Sequence, residues 1–261
     1  MAESTLTLTF DDVANDVAQM LGMARTRATR ATAENTEVDG YVNKGYRQFI
    51  TPPWADAGLP PHVWTFIKLD TTVTMTADTE TTDCPDDFGF LLTDALHYTD
   101  SDTAPFHSIK VRSRDYILAH YEDDDDYSED PAYVCLRPKA FTTATGQRFE
   151  LRWYPVTDTA HVVSFPYAAI PNATSSTSYM QGGALHSETL RLSCRAIADA
   201  ESNDELGREW ARFLTALRAS FAVDVHNEPR IYGNVRDFDT ARQPRLTRTQ
   251  VVHGNVGTSY S

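Results

Sequence analysis

An α+β fold is predicted: an antiparallel helical bundle formed by N- and C-terminal helices, with a large inserted antiparallel β region and an extended C-terminal arm. Three observations predict it. Leu206, Trp210, Phe213, Leu214, Leu217 and Phe221 recur at the spacing of one helix face. From Val63 the chain changes to short runs rich in Thr, Val, Phe and Tyr, separated by Asp, Pro and Gly, which is the composition of strands and turns. Beyond Pro229 all periodicity is lost. The organisation that follows is N-terminal bundle helices over 1–62, a β-rich insertion over 63–170, a linker with a C-terminal helical hairpin over 171–227, and the arm over 228–261.

In chain order, Thr9 with Asp12 marks a helix start, Phe10, Val13, Val17 and Leu21 give its apolar face, and Gly22 caps its end. A basic, threonine-rich segment runs from Arg25 to Thr36. Val38, Tyr41, Val42, Gly45 and Phe49 form the next helix face, which Pro52 and Pro53 terminate. Gly45, costing about 1 kcal/mol against alanine in a helix interior, is read equally as a point of close backbone packing or as a tolerated glycine. Strands are expected near 64–69, 71–76, 81–84, 90–98, 107–112, 132–137, 147–154 and 161–168. The clearest alternations are Phe149, Leu151, Trp153 and Val163, Phe165, Tyr167. Ser113 caps a short helix, and the run from Glu122 to Asp126 is a solvated loop. In the last helical region Ser187 is read as an N-cap, with Leu190, Cys194 and Ile197 on one stripe. That stripe does not join the stripe beginning at Leu206. A break near Asn203, with Ser202 and Glu205 as a new capping box, gives the hairpin.

Composition narrows the function. A formal charge of −14 makes nonspecific binding to nucleic acid or to an anionic membrane a poor first assumption. Three separated cysteines, Cys84, Cys135 and Cys194, fit a reducing compartment and neither a disulfide scaffold nor a structural zinc site. The polar start resembles no signal peptide, and no apolar run approaches the roughly 20 residues that span a bilayer. The eight histidines show no HExxH or comparable spacing, and the acidic run lacks the glycine and closing glutamate of a calcium loop. GxSxG, GxxxxGK[ST] and GxGxxG are absent. His186 and Ser187 are neighbours on a starting helix and point in different directions. No metal, no cofactor and no enzymatic activity are expected, and weight moves to a structural or assembly role.

Five phrases together resemble the head-to-tail adaptor, or connector, proteins of tailed bacteriophages. They are YVNKGYRQFITPPW (Tyr41–Trp54), CPDDFGFL (Cys84–Leu91), HSIKVRSRD (His107–Asp115), FELRWYPVTD (Phe149–Asp158) and GGALHSETLRLSCRAIADAES (Gly182–Ser202). The likeness covers most of the chain from about Val38 to Val235, in structural turns and helix faces; the basic first loop and the large β insertion depart from the smallest adaptors. It implies a virion protein of the neck, made in the host cytoplasm: a homo-oligomeric ring, usually of twelve copies, between the portal and the tail or tail-tube protein. Such a ring lines the channel through which double-stranded DNA passes without sequence-specific binding. Twelve copies would carry a formal charge of roughly −170, repelling phosphates so that the genome slides.

On that reading Asp123, Asp124, Asp125 and Asp126 are candidates for the channel lining. Arg230, Tyr232, Arg236, Arg242, Arg245 and Arg248 suit an arm that orders on docking to a neighbour or the portal. Trp210, Phe213, Leu217 and Phe221 are expected in the subunit's own core, leaving Glu201, Arg208 and Arg212 as candidates for subunit contact. Two other classes remain: a β-rich, tail-associated module presenting Trp64, Trp153 and Tyr154 to a carbohydrate or tail-fibre protein, and a cell-wall hydrolase acting through carboxylates such as Asp86 and Asp87.

Overall fold

The computed structural model describes residues 4–99, 108–121, 130–203 and 205–227. The chain divides into a unit Met1–Asp224 and a unit Val225–Ser261, and the architecture is that of the first.

Helix α1 (Phe10–Met20) starts where its capping box sets it: the Thr9 hydroxyl accepts from Asp12 N–H, and the Asp12 carboxylate accepts from Thr9 N–H at 3.0 Å. It ends on Gly22 at φ +76°, with Met23 N–H reaching back to the Ala18 carbonyl. Helix α2 (Thr32–Ile50) begins earlier than its apolar stripe, because Glu34 caps the Ala31 N–H. Between them, the basic segment ties the two helices together. Arg27 bonds Asp11 on α1 at 2.8 Å and clasps both oxygens of Asp39 on α2. Arg30 is buried and donates to Asn35 and to the carbonyls of Ala24 and Arg25.

Among the described residues eight strands follow: β1 (Lys68–Met75), β2 (Thr81–Asp83), β3 (Phe88–Leu91), β4 (Ala95–Tyr98), β5 (Ile109–Val111), β6 (Tyr133–Pro138), β7 (Phe149–Tyr154) and β8 (His161–Ala169), with α3 (Arg114–Tyr121) after β5. Their order in the sheet is β1-β8-β4-β5-β6-β7-β2, with β3 also on β8. The end strands β1 and β2 are consecutive in sequence and lie side by side, so the sheet nearly closes on itself. Its interior is filled by alternate residues, among them Met75, Leu96, Ile109, Val134, Leu151, Trp153, Val163 and Phe165, all essentially buried. This is the side-chain core that period-2 alternation predicts. Two expected strands, 64–69 and 71–76, are a 3-10 turn (Thr65–Ile67) and the single strand β1; the expected strand 90–98 is two, β3 and β4.

Helices α4 (Gly183–Asn203) and α5 (Arg208–Asn227) complete the fold. The pair Gly182 and Gly183, at φ +107° and +58°, makes the turn into α4, a conformation that other residues adopt at a cost. Ser187 is therefore inside the helix, its hydroxyl donating to the Gly183 carbonyl, and is not the N-cap expected. The helix breaks at Asn203 as expected, but Ser202 closes α4 by donating to Asp199 O and does not open α5. Leu206 precedes α5 and is exposed, off the stripe assigned to it.

The expectation of an antiparallel helical bundle carrying an inserted antiparallel β region is overturned. Among the described residues the fold is a strand-rich, mixed α+β arrangement of five α-helices and a large, nearly closed sheet with a core of its own. The sheet is not wholly antiparallel either, since β5 and β6 pair in parallel across the α3 connection. The physical reason lies in how helix faces are covered. Each apolar stripe was expected to need another helix, but an irregular aromatic segment buries a stripe equally well. Residues 54–67 do so here. Trp64 is fully buried, donates its indole N–H to the Phe49 carbonyl at 2.9 Å and stacks on Phe66, while Trp54 and His62 meet Phe221 edge-on. Phe213 and Leu217 are buried as expected, whereas Trp210 and Phe221 are only partly so.

Candidate subunit-contact face

Two polar arrangements stand out on the helical side. The first is a groove between α4 and α5, about 600 Å³ in volume, lined by Glu188, Arg191, Leu192, Arg208, Ala211, Arg212, Thr215, Ala216 and Ala219. Helical spacing builds it. Arg208 and Arg212 are one turn apart, as are Ala211, Thr215 and Ala219, so small side chains form a floor beside a cationic edge. Across it, Arg191 bonds Glu188 at 2.6 Å and reaches Asp16 on α1 at 3.3 Å, which with burial set against them gives a net upward push on its pKa. Beneath, the buried Glu209 bonds Arg212 at 2.8 Å and lies 3.1 Å from Arg195, itself 3.5 Å from Asp16. Arg208 makes no ion pair with a described residue.

The three predicted contact residues are not brought together. Arg208 and Arg212 share the groove. Glu201 instead turns to α2, where its carboxylate takes both bonds from Lys44, the shorter at 2.6 Å.

The second arrangement is internal. Asp224, 1 % exposed, accepts from His62 Nε2 at 2.6 Å, from Thr65 N–H at 3.0 Å and from the Thr65 hydroxyl at 2.5 Å, with His186 Nε2 at 3.7 Å. Burial raises its pKa, but the bonds from Thr65 and His62 outweigh that and hold the carboxyl below its ordinary range. For His186 burial dominates and lowers its pKa, against the opposing charge of Asp224. This cluster fastens α5 to the segment that leads into β1. Sequence reading missed it because His62 and Asp224 are 162 positions apart.

The other candidates fall as follows. Asp123, Asp124, Asp125 and Asp126 lie outside the described residues, as do Arg230, Tyr232, Arg236, Arg242, Arg245 and Arg248. Trp64 and Trp153 are core residues, Trp153 donating its indole N–H to the Thr82 hydroxyl, which removes two of the three members of the proposed aromatic platform. Asp86 pairs with Arg148, and Asp87 accepts from the Tyr167 hydroxyl at 3.0 Å. Both are engaged in fastening the turn before β3 to the sheet. The three cysteines are buried and unpaired, with burial pushing the Cys84 thiol up to about 12. Among the described residues no helix is long and apolar enough to cross a membrane. The chain matches no protein-family model, and no curated protein matches it.

Proposed function

We propose that the chain is a structural subunit of a head-to-tail adaptor, one copy of a ring, usually twelvefold in that family, seated between portal and tail around the DNA channel. One observation carries the reading: the two longest phrases of the resemblance meet at a close helix crossing. Tyr41–Trp54 contains the second half of α2, and Gly182–Ser202 is nearly all of α4. A Cβ built on Gly45 would stand 2.3 Å from Cys194 Cα, the Ser193 hydroxyl donates to the Gly45 carbonyl at 2.8 Å, and the Cys194 thiol donates to the Val42 carbonyl. Two of the shorter phrases also join, with Cys84 N–H bonding the Phe149 carbonyl. The likeness thus lies in pieces that constrain one another in space. The acidity agrees with it, because a channel through which phosphates slide is favoured by like charge. The test is to mix the purified chain with its portal and image the product. A ring of copies under the portal is expected; a monomer indifferent to portal refutes the proposal.

A further inference from the structure

The groove between α4 and α5 is a cationic spot on an acidic chain. Its lining sets three guanidiniums, Arg191, Arg208 and Arg212, against the single carboxylate of Glu188, on a protein of net charge −14. With the residues beneath it included, four arginines face Asp16, Glu188 and Glu209, so the surplus stays positive. Arg208 carries that surplus, exposed and unpaired with any described residue. Arg191 and Arg212 are held in place by the carboxylates they already bond, which reduces the side-chain entropy an incoming anion must take up. The floor of Ala211, Thr215, Ala216 and Ala219 leaves room for backbone to approach while the guanidinium N–H groups bond carboxylates at the edge.

The chain's own sequence holds the complementary element. Glu122, Asp123, Asp124, Asp125 and Asp126 are five consecutive carboxylates, with Glu129 following. A charge run of this density binds where cations are clustered and pre-set and is repelled by the rest of an acidic surface. We infer that the groove receives the Glu122–Asp126 run of a second copy of this chain, making it a subunit interface specified by charge. The inference rests on the ring reading for why copies meet, and it assigns the acidic run to the contact between copies in place of the channel wall.

The experiment is a charge swap on the full chain. One variant carries R208E and R212E, the other D123K, D124K and D125K; circular dichroism verifies that both fold. Sedimentation velocity should show salt-sensitive self-association of the wild type, weakened about tenfold or more in each variant alone. An equimolar mixture of the two should regain association as a mixed species, because each supplies the charge the other lost. Wild-type behaviour of R208E/R212E, a mixture that stays apart, or a wild type that does not self-associate each overturns the inference. Portal imaging separates it from the adaptor reading. Intact rings of R208E/R212E under the portal remove the groove and leave the adaptor. Charge-complementing copies that ignore the portal remove the adaptor and leave the groove.

Discussion

The crossing of α2 and α4 makes a quantitative prediction, because α2 contains its own control. Gly40 and Gly45 are both inside α2. A Cβ at Gly40 meets nothing within 4 Å, whereas at Gly45 it would stand 2.3 Å from Cys194 Cα and 2.8 Å from Cys194 N. Both of those atoms are backbone, so no rotamer change relieves the overlap, and the helices must separate by about 1 Å to restore ordinary contact. Alanine gains about 1 kcal/mol of helix propensity at either site. At Gly45 that gain is opposed by about 1–3 kcal/mol of overpacking. A further loss of about 1 kcal/mol comes from stretching the Ser193 to Gly45 hydrogen bond. Gly45→Ala should therefore be destabilised by about 2 kcal/mol, which at this size lowers Tm by roughly 4–8 °C. Gly40→Ala should raise stability by up to about 1 kcal/mol. Thermal melts followed by circular dichroism, with urea titrations to obtain ΔG, compare the two. Equal effects of the two substitutions, or a Gly45→Ala protein as stable as the wild type, would refute the close crossing and with it the observation that carries the proposed function.

Three other measurements probe the interior. Asp224→Ala leaves the Thr65 N–H and hydroxyl and His62 without their acceptor, so a loss of about 3–5 kcal/mol is expected in denaturant titrations; a loss under 1 kcal/mol contradicts the cluster. His186 has a lowered pKa in the folded chain, so the unfolded chain binds its proton first and stability falls as pH drops below about 6.5, the ordinary histidine value. Asp224, also lowered, adds a second loss only as pH falls below about 3.8. The upper slope should disappear in a Tm-versus-pH series on His186→Gln while the acid-side slope remains. Finally, Cys84, Cys135 and Cys194 are buried with raised thiol pKa values, so iodoacetamide at pH 8 should label none of them in the native chain and all three in urea, as mass spectrometry reads directly.

Local chemistry was legible in the sequence wherever the deciding atoms are close along the chain. The Thr9/Asp12 capping box, the Gly22 stop, the break at Asn203 and the alternation of β7 and β8 each involve residues a few positions apart, and each is present. The misreadings share a different cause. Ser187 and Ser202 have the composition of caps, but the glycine pair 182–183 starts α4 sooner, so Ser187 bonds the Gly183 carbonyl from inside the helix, and Ser202 bonds the Asp199 carbonyl at the helix's other end. The bundle was inferred from a sound premise, that apolar stripes must be buried, joined to an unsound one, that helices do the burying. Periodicity says which face is apolar and nothing of what covers it. Trp54, Trp64 and Phe66 occur in a stretch with neither helical nor strand period, and only the folded chain puts their rings between α2 and α5.

The polar sites divide along the same line, and the division bears on which of them belongs to function. His62, Thr65, His186 and Asp224 come from three separate parts of the chain and meet where water is excluded. His62 and Thr65 satisfy Asp224, with His186 3.7 Å away, and these bonds are accounted for by folding alone. Nothing in the fold calls for Arg208. It is exposed, bonds no described carboxylate and adds charge beside Arg212, whose bond to Glu209 stands without it. A cation that contributes nothing to its own subunit, placed over a floor of alanines on an otherwise acidic protein, is explained by what approaches from outside. Substituting Arg208 alone by Ala should accordingly leave the stability of the monomer within about 0.5 kcal/mol of the wild type, while reducing association between copies. If Arg208→Ala instead destabilised the monomer, the residue would belong to the subunit's own ion network, and the groove would lose its claim as an interface.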